Sequence, residues 1–587
     1  MHEVEIFNSA VKSQFAFLKQ DKSILDSMIK SIPIENFGFL APINYAHAEN
    51  KKFLDLLTQS KNIFLNNSSK NAIQNSELIK ENLVSSILKS DGSILFAIYE
   101  NNGNIVGFIG FGDCINEFQN FKINYFAKAQ DNIAQDIICP AIHSLLEWAR
   151  TTFNVETFNL SVTDEDENAL KFFKESGFRV VKEKAIENEA KCDAFTNRVM
   201  DSTNNSYLEL IYENTKETGE SLILTAGPSI SQREVFYAYD AAKNGWNSQW
   251  NKYLTKFENT FAEFVGAKYA ISTSSCTGAL QIALMALDIG PGDEVIVPDE
   301  TWVASANAIR YVGAIPIFAD VEIDSWNIDA TSIERVITDR TKAIIVVHMY
   351  GGPARMDKIM QIAKQYNLKV VEDAAPAIGA KFNGKSCGTF GSFGAYSFQG
   401  AKLLVTGEGG MLVTDDENLY HKAHKIADQG RDPKKVFWID EKGIKFKMSN
   451  VQAALGLGQI ERANELIAMK RRIFSWYERE LANYEGITLN KEIENGFSIY
   501  WMSSIRLDED LPITRDELIK ELKLRNVDSR PVFPAISRYP IWSKKQEPQK
   551  IADLLGRTAM NLPSGVCLTE QEVVYISNQI KLILGKK

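Results

Sequence analysis

The sequence has no excess of basic residues and no long apolar run. Its 587 residues carry 65 Lys and Arg against 75 Asp and Glu, a formal net charge of -10. We expect no nucleic-acid partner, because phosphate recognition needs a basic surface. No apolar stretch reaches the roughly 18 residues of a membrane span, and the first residues lack a signal-peptide pattern, so no membrane association is expected.

Cysteine is scarce and scattered. The sequence contains six, and none forms a C-x-x-C pair. The spacing therefore predicts neither a structural zinc site nor a disulfide framework, and we expect no metal. Free thiols at such positions are typical of a reducing compartment, which predicts a cytoplasmic protein. The six are Cys114, Cys139, Cys192, Cys276, Cys387 and Cys567.

The chain is too long for a single hydrophobic core. Polar, turn-forming residues at 201–206 and 214–220 predict a linker over 201–222. The predicted domains are a first domain of residues 1–200, a large domain of 223–470 and a small C-terminal domain of 471–587.

The first domain mixes strands and helices. Apolar runs at 93–99 and 105–110 flank an Asn-Asn-Gly turn and predict a hairpin. Helical spacing follows at 133–150, then a strand at 157–162 and a helix at 167–176 closed by Gly177. This order predicts an α+β domain.

The large domain alternates short apolar runs with helical patterns. Runs that are apolar on both faces and separated by helices predict a mostly parallel sheet covered on both sides. Ligands bind such sheets at the carboxyl ends of the strands. The runs lie at 269–273, 294–298, 315–320, 343–348, 368–373 and 394–398.

Three features fall at the ends of these runs. Ser272-Thr-Ser-Ser-Cys-Thr-Gly278 opens a helix, where free backbone N–H groups form an anion site, although an ordinary Ser/Thr cap has the same pattern. Asp373 closes an apolar strand. Lys402 lies beside a Gly-Glu-Gly-Gly turn, where desolvation can make it a Schiff-base amine; the alternative is a surface lysine.

Together these features suit pyridoxal 5'-phosphate. That cofactor needs an anion site for its phosphate, a carboxylate for its pyridine nitrogen and a lysine for its aldehyde. Trp302 follows the apolar run at 294–298 and is available to stack on the cofactor ring.

Residues 223–587 resemble the DegT/DnrJ/EryC1/StrS family of sugar aminotransferases, whose fold is that of aspartate aminotransferase (type I). The C-terminal motifs are similar to the GDP-perosamine synthase branch. The resemblance rests on an ordered series of motifs: Phe257-Glu, Gly292-Asp-Glu-Val-Ile-Val-Pro298, Val347-His-Met-Tyr-Gly351, Glu372-Asp-Ala-Ala375, Ser397-Phe-x-x-x-Lys402, Gly407-Glu-Gly-Gly410, Gln452-Ala-Ala-Leu-Gly456 and Ser529-Arg-Pro531.

The resemblance implies a function and a role for each site residue. Lys402 is the catalytic Schiff-base lysine and Asp373 the partner of the pyridine nitrogen. The enzyme takes an amino group from L-glutamate and gives it to a keto nucleotide sugar, and it works as a homodimer with shared active sites. The other implied positions are Trp302 against the ring, Cys276, Thr277 and Ser397 at the phosphate, Lys445 and Lys447 at the neighbouring subunit's phosphate, and Arg530 at the substrate.

Residues 40–200 resemble the GNAT N-acyltransferases. The resemblance rests on the predicted hairpin and on Asn168-Ala-Leu-Lys-Phe-Phe-Lys-Glu-Ser-Gly-Phe178. It implies acetyl-CoA as a cofactor and N-acylation of the amine made by the other domains. The stretch 130–136, where the family has a glycine-containing loop for coenzyme A, contains no glycine. Phe173 stands where the family often has a tyrosine.

Other readings of the sequence stay open. The aminotransferase fold can serve a regulator that binds the cofactor without turnover, and the first domain can be a non-catalytic docking module. The sequence leaves open the nucleotide, the sugar, and amination at C3 or C4.

Overall fold

A computed structural model of the chain describes residues 221–432, 434–542 and 546–585, with shorter parts of the first 220 residues. Those parts are 11–16, 18–19, 32–34, 38–43, 61–62, 93–100, 105–112, 120–128, 135–153, 157–163, 173–174, 178–185 and 206–213. The chain divides into two compact units, Met1–Lys216 with Ile230–Phe236, and Glu217–Ser229 with Tyr237–Lys587. None of the described helices combines the length and the apolar character needed to cross a bilayer.

The first unit is built on one sheet. Its described strands are β1 (Ile32–Ile34), β2 (Gly38–Pro42), β3 (Lys61–Asn62), β4 (Ile94–Glu100), β5 (Ile105–Gly112), β6 (Asn120–Lys128), β7 (Thr157–Thr163), β8 (Arg179–Ala185) and β9 (Ser206–Glu213). They are ordered β1-β2-β4-β5-β6-β7-β9-β8, and β3 pairs with β6. The predicted hairpin is confirmed as β4 and β5, which pair antiparallel.

A parallel pair lies in the middle of this sheet. Strands β6 and β7 pair in parallel at three positions near their starts, from Asn120 with Thr157 to Lys122 with Asn159. Helix α1 (Gln135–Phe153) connects them, as the sequence predicts for residues 133–150. The predicted helix at 167–176 lies outside the described residues except at 173–174, which are helical.

The predicted linker is wrong over part of its length. Strand β9 lies within residues 201–222 and pairs with β7 over seven positions and with β8. Its residues, Ser-Tyr-Leu-Glu-Leu-Ile-Tyr-Glu, are rich in strand-forming side chains. Polar neighbours on both sides conceal this pattern in the sequence.

The second unit contains a second, larger set of elements. Its helices are α2 (Gln232–Asn244), which begins in the first unit, α3 (Lys252–Val265), α4 (Cys276–Ala286), α5 (Ala304–Tyr311), α6 (Ala330–Val336), α7 (Met356–Gln365), α8 (Glu417–Ala427), α9 (Asn450–Ile460), α10 (Ala463–Leu481), α11 (Arg515–Lys523), α12 (Lys550–Thr558) and α13 (Glu570–Leu584). Its strands are β10 (Tyr269–Thr273), β11 (Glu294–Pro298), β12 (Ile315–Ala319), β13 (Thr341–Val347), β14 (Lys369–Asp373), β15 (Lys381–Phe382), β16 (Lys385–Ser386), β17 (Phe393–Ser397), β18 (Gly410–Thr414), β19 (Ile487–Leu489), β20 (Gly496–Phe497), β21 (Ser504–Leu507), β22 (Arg530–Pro531) and β23 (Ala559–Asn561).

The large sheet confirms the predicted α/β architecture. Its order is β10-β18-β17-β14-β13-β11-β12. Strands β17, β14, β13, β11 and β12 are parallel, and β18 is antiparallel to both β17 and β10. Strand β10 therefore runs in the direction of β17. The carboxyl ends of β10, β11, β13, β14 and β17 meet at one edge, where the predicted site residues follow them.

The small C-terminal domain has a sheet of its own, ordered β19-β21-β23-β22. The predicted boundary at 470/471 falls inside helix α10. Leu466, Ile467 and Met469 belong to the large core, whereas Ile473 and Phe474 belong to the small one. One continuous helix thus carries apolar side chains into both cores.

Candidate active site

Lys402 lies in a closed loop between β17 and β18. The loop is held by backbone hydrogen bonds from Gly400 N to Gly407 O (2.9 Å) and from Thr406 N to Phe398 O (2.8 Å). At Gly409, φ is +157°, and a Cβ atom there would lie 2.5 Å from the Thr406 hydroxyl. The Gly-Glu-Gly-Gly turn therefore closes a compact loop that returns the chain to β18 and presents Lys402 at the sheet edge.

The amine of Lys402 lies against an indole. Its Nζ atom is 3.7 Å from the centroid of the Trp501 ring, and the side chain is half-buried. Desolvation lowers the pKa of Lys402 to about 8, opposed by Asp373 and Cys276, which raise it. An amine with this pKa is partly unprotonated near neutrality, as a nucleophilic lysine requires.

Asp373 ends β14 and is 5% exposed. Its Oδ2 accepts a hydrogen bond from Ser305 Oγ (2.7 Å), and its Oδ1 accepts from Ala375 N (3.1 Å) and Cys276 Sγ (3.7 Å). Both oxygens are thus fixed by neighbours from three different segments. Sequence reasoning missed Ser305, and its only sequence signal is the three-residue distance from Trp302.

The predicted anion site is a helix N-terminus. Helix α4 begins at Cys276, and the side chain of its cap Ser275 accepts from Gly278 N (3.1 Å). The cap and an anion site are therefore compatible at this helix start, because one capped N–H leaves other backbone N–H groups of the first turn free. Thr277 is half-buried in that turn.

Strand register brings Ser397 to this helix. Gly410 of β18 pairs with Thr273 of β10 on one side and with Ser397 of β17 on the other. A Cβ atom at Gly410 would lie 2.6 Å from the backbone N of Cys276. The absence of a side chain at Gly410 lets the α4 N-terminus approach the sheet.

Aromatic rings line the same edge. Trp302 is 57% exposed and its ring centroid is 5.4 Å from that of Phe533. Phe533 stacks on Tyr350 at 5.9 Å, and Tyr350 stacks on Trp501 at 6.1 Å. Tyr350 lies in Val347-His-Met-Tyr-Gly351. Trp501 and Phe533 lie in Tyr500-Trp-Met502 and Arg530-Pro-Val-Phe533, two of the C-terminal motifs similar to the GDP-perosamine synthase branch. Sequence reasoning assigned none of the three a role in the site.

The remaining predicted residues lie nearer the periphery. Lys447 pairs with Asp428 at 3.0 Å and Lys445 with the same carboxylate at 3.7 Å. The backbone beside them contacts the anion loop, since Ser274 N donates to Phe446 O at 2.8 Å. Arg530 has a 72% exposed side chain and lies 3.6 Å from Asp528.

This arrangement fits pyridoxal 5'-phosphate. The amine of Lys402 suits its aldehyde, the oriented carboxylate of Asp373 its pyridine nitrogen, the α4 N-terminus its phosphate, and the open indole of Trp302 its ring. The fold and site are those of a pyridoxal-phosphate-dependent aminotransferase.

Comparison with known proteins identifies the family. Residues 228–581 match the DegT/DnrJ/EryC1/StrS aminotransferase family. The chain belongs to that family. GDP-perosamine synthase of Caulobacter vibrioides is 40% identical over 353 residues, which is 60% of this chain and 95% of that protein. GDP-perosamine synthase of Escherichia coli O157:H7 is 41% identical over 362 residues, 61% of this chain and 98% of that protein.

Solved structures agree on the fold of the second unit. An aminotransferase from Psychrobacter cryohalolentis is 31% identical, covers 61% of this chain and 98% of its own, and has a TM-score of 0.58. The 3-amino-5-hydroxybenzoic acid synthase is 26% identical, covers 63% of this chain and 100% of its own, with a TM-score of 0.59. Residues 45–202 match an acetyltransferase (GNAT) domain. The chain is thus a sugar aminotransferase joined to a GNAT-type region.

Proposed function

We propose that residues 223–587 transfer an amino group from L-glutamate to the keto group of a nucleotide sugar. The observation that carries this proposal is that one sheet edge brings together the loop of Lys402, Asp373 at the end of β14 and Cys276 at the start of α4, whose Sγ lies 3.7 Å from Asp373 Oδ1. The identity of about 40% to two GDP-perosamine synthases along nearly their whole length supports a sugar substrate.

The bound cofactor supplies an acceptor for the amino group and a sink for the electrons of the substrate carbon. Lys402 would hold it through its amine, and the free amine would move a proton to and from the substrate carbon as general base and acid. With a pKa of about 8, about one Lys402 side chain in ten is unprotonated at pH 7. At the ordinary lysine pKa of 10.5, the fraction would be about one in three thousand.

Asp373 presents its carboxylate in a fixed orientation. Donors on both of its oxygens orient the carboxylate, so one direction remains for a protonated ring nitrogen. Trp302 offers an apolar face beside it. Arg530, whose side chain is exposed, is available to a phosphate of the sugar nucleotide.

The active form in this proposal is a homodimer with shared sites. Between Asp428 and Lys445, which form an antiparallel bridge, the chain exposes Val436 (87%), Phe437 (94%), Trp438 (55%) and Ile439 (51%). A contiguous apolar tip of this kind favours burial against another surface. Lys445 and Lys447 lie at its base and would serve the phosphate of the partner chain.

For the first domain we propose N-acylation of the new amine. The match to an acetyltransferase domain supports it, as does the chemical order, since the product amine is a nucleophile for an acyl thioester. The alternative is a docking module without catalysis. A favourable result for the aminotransferase leaves this second proposal undecided, so the two need separate assays.

The direct test is a screen with the purified full-length protein. Pyridoxal 5'-phosphate, L-glutamate and a set of 3-keto and 4-keto nucleotide sugars are combined, and products are read by mass spectrometry. We expect conversion of at least one GDP-linked 4-keto sugar, with formation of 2-oxoglutarate. Conversion by the wild type but not by Lys402→Ala supports the proposal, and no conversion of any ketosugar contradicts it.

A further inference from the structure

The contact between Trp501 and Lys402 joins distant parts of the chain. Nζ of Lys402 lies over the indole, 3.7 Å from its centroid. Within the described part of the chain, this amine has no hydrogen-bond or salt-bridge partner. The ring face therefore offers this amine a favourable electrostatic surface, because the face of an indole carries negative potential.

Trp501 is itself held at three points. Its Nε1 donates to the carbonyl of Ala401 at 2.8 Å, its own carbonyl accepts from Lys470 Nζ at 2.9 Å, and its ring stacks on Tyr350 at 18°. The residue is 6% exposed. A ring fixed in this way cannot turn away, so its face is a preformed surface, and the bond to Ala401 ties that surface to the lysine loop.

We propose that Trp501 is a positioning residue that holds the protonated amine of Lys402 whenever that amine is not bonded to the cofactor. The role of Lys402 in this statement rests on the proposed function. The contact itself does not depend on that role. An ammonium that leaves water for a partly buried site loses hydration, and an aromatic face offsets part of that loss.

The charged and titratable groups that face Lys402 are Asp373 from β14 and Cys276 from α4, and both favour its protonated form. Desolvation acts in the opposite direction and lowers the pKa to about 8. The indole face also favours the protonated amine. Its removal therefore leaves desolvation less opposed, and the pKa of Lys402 falls further.

The experiment measures this pKa in the full-length apoprotein, after cofactor removal with phenylhydrazine and dialysis. Trace acetic anhydride labels lysines at a series of pH values, and mass spectrometry quantifies the Lys402 peptide. We expect a wild-type midpoint near 8. In Trp501→Leu it falls by about one pH unit, and in Trp501→Phe, which keeps an aromatic face, by a few tenths. Trp476→Phe, in the small core, is the matched control and keeps the wild-type midpoint.

A second measurement avoids the risk that Trp501→Leu does not fold. Growth on a polyfluorinated tryptophan preserves ring shape and weakens the negative face, so the Lys402 midpoint falls as in Trp501→Leu. An unchanged midpoint in the fluorinated protein, or in folded Trp501→Leu, overturns the proposal. Neither measurement requires turnover, so its result does not depend on the outcome of the ketosugar screen.

Discussion

The hydroxyl of Ser305 donates a 2.7 Å hydrogen bond to Oδ2 of Asp373, and both residues are buried. Ser305 lies in the first turn of α5, three residues after Trp302. One short segment therefore places both the open indole and a donor to the carboxylate. The bond fixes Asp373 from the side opposite Cys276 and Ala375, which donate to Oδ1.

Replacement of Ser305 by alanine is expected to lower kcat about tenfold and to weaken cofactor binding. Loss of a hydrogen bond to a charged group costs about 1.5–3 kcal/mol, and Asp373 loses its orientation. Steady-state kinetics and cofactor titration measure both effects. Ser577→Ala is the control, because the buried hydroxyl of Ser577 in α13 has no hydrogen-bond partner among the described residues, and its variant should behave as wild type. Equal kinetics in Ser305→Ala and Ser577→Ala would show that Ser305 does not contribute to the site.

Lys402→Ala should abolish transamination. The variant has no amine to attach the cofactor or to move the proton. Borohydride reduction followed by peptide mass spectrometry should find the cofactor on residue 402 of the wild type and on no peptide of the variant. Lys402→Arg keeps the charge and should be equally inactive. Turnover near the wild-type rate in either variant would show that another group performs the chemistry.

Asp373→Asn should reduce the rate by about 100-fold or more, as expected for a lost preorganised electrostatic partner. An amide cannot hold the pyridine nitrogen in its protonated form. Single-turnover kinetics with L-glutamate measure the step directly. Asp373→Glu, which keeps the charge, should retain more activity than the amide. A rate for Asp373→Asn within a few-fold of wild type would argue against the role assigned to this strand end.

Phe437→Asp should convert the proposed dimer to monomers. The residue is 94% exposed at the apolar tip, and a carboxylate there opposes burial against a second copy. Size-exclusion chromatography with light scattering measures the mass. Leu524→Asp is the matched control, since Leu524 is 72% exposed elsewhere in the second unit and should leave the mass unchanged. A wild-type protein that is already monomeric would contradict the proposed dimer.

Mixing inactive chains tests whether the sites are shared. Lys402→Ala chains and chains with both Lys445→Ala and Lys447→Ala should each be inactive. After subunit exchange in equal amounts, half of the dimers are mixed, and each mixed dimer has one intact site, so activity should return to about a quarter of wild type. No recovery, with exchange confirmed by mass spectrometry, would place both lysines in the site of their own chain.

The acyl transfer that we propose for the first domain is expected to be slow with acetyl-CoA, which should bind weakly. Glycines let a helix-start backbone approach the pyrophosphate, whereas residues 132–134 before α1 carry side chains. Phe173, which is fully buried against Phe178, cannot donate a proton to a leaving thiolate. Calorimetric titration of acetyl-CoA into the full-length protein measures the affinity. Micromolar binding would show that the site does not need those glycines.

Local sequence predicted six of the seven strands of the large sheet and singled out the residues proposed for the site. The six predicted strands match β10, β11, β12, β13, β14 and β17 to within about two residues, because buried parallel strands produce continuous apolar runs between helices. Lys402, Asp373 and Trp302 could be picked out because Asp373 ends such a run and the other two follow one. Strand β9 escaped detection, since its apolar residues lie between polar segments that locally resemble a linker.

The tertiary structure alone decided which side chains support those residues. Ser305 reaches Asp373 across 68 positions of the chain, Cys276 reaches it across 97, and Trp501 reaches the loop of Lys402 across 100. No periodicity or motif spacing encodes such contacts, because they depend on the order and direction of strands in the sheet and on the docking of the small domain. The sequence is therefore enough to propose Lys402 and Asp373 as site residues. The desolvation that lowers the pKa of Lys402 arises only when distant segments pack around it.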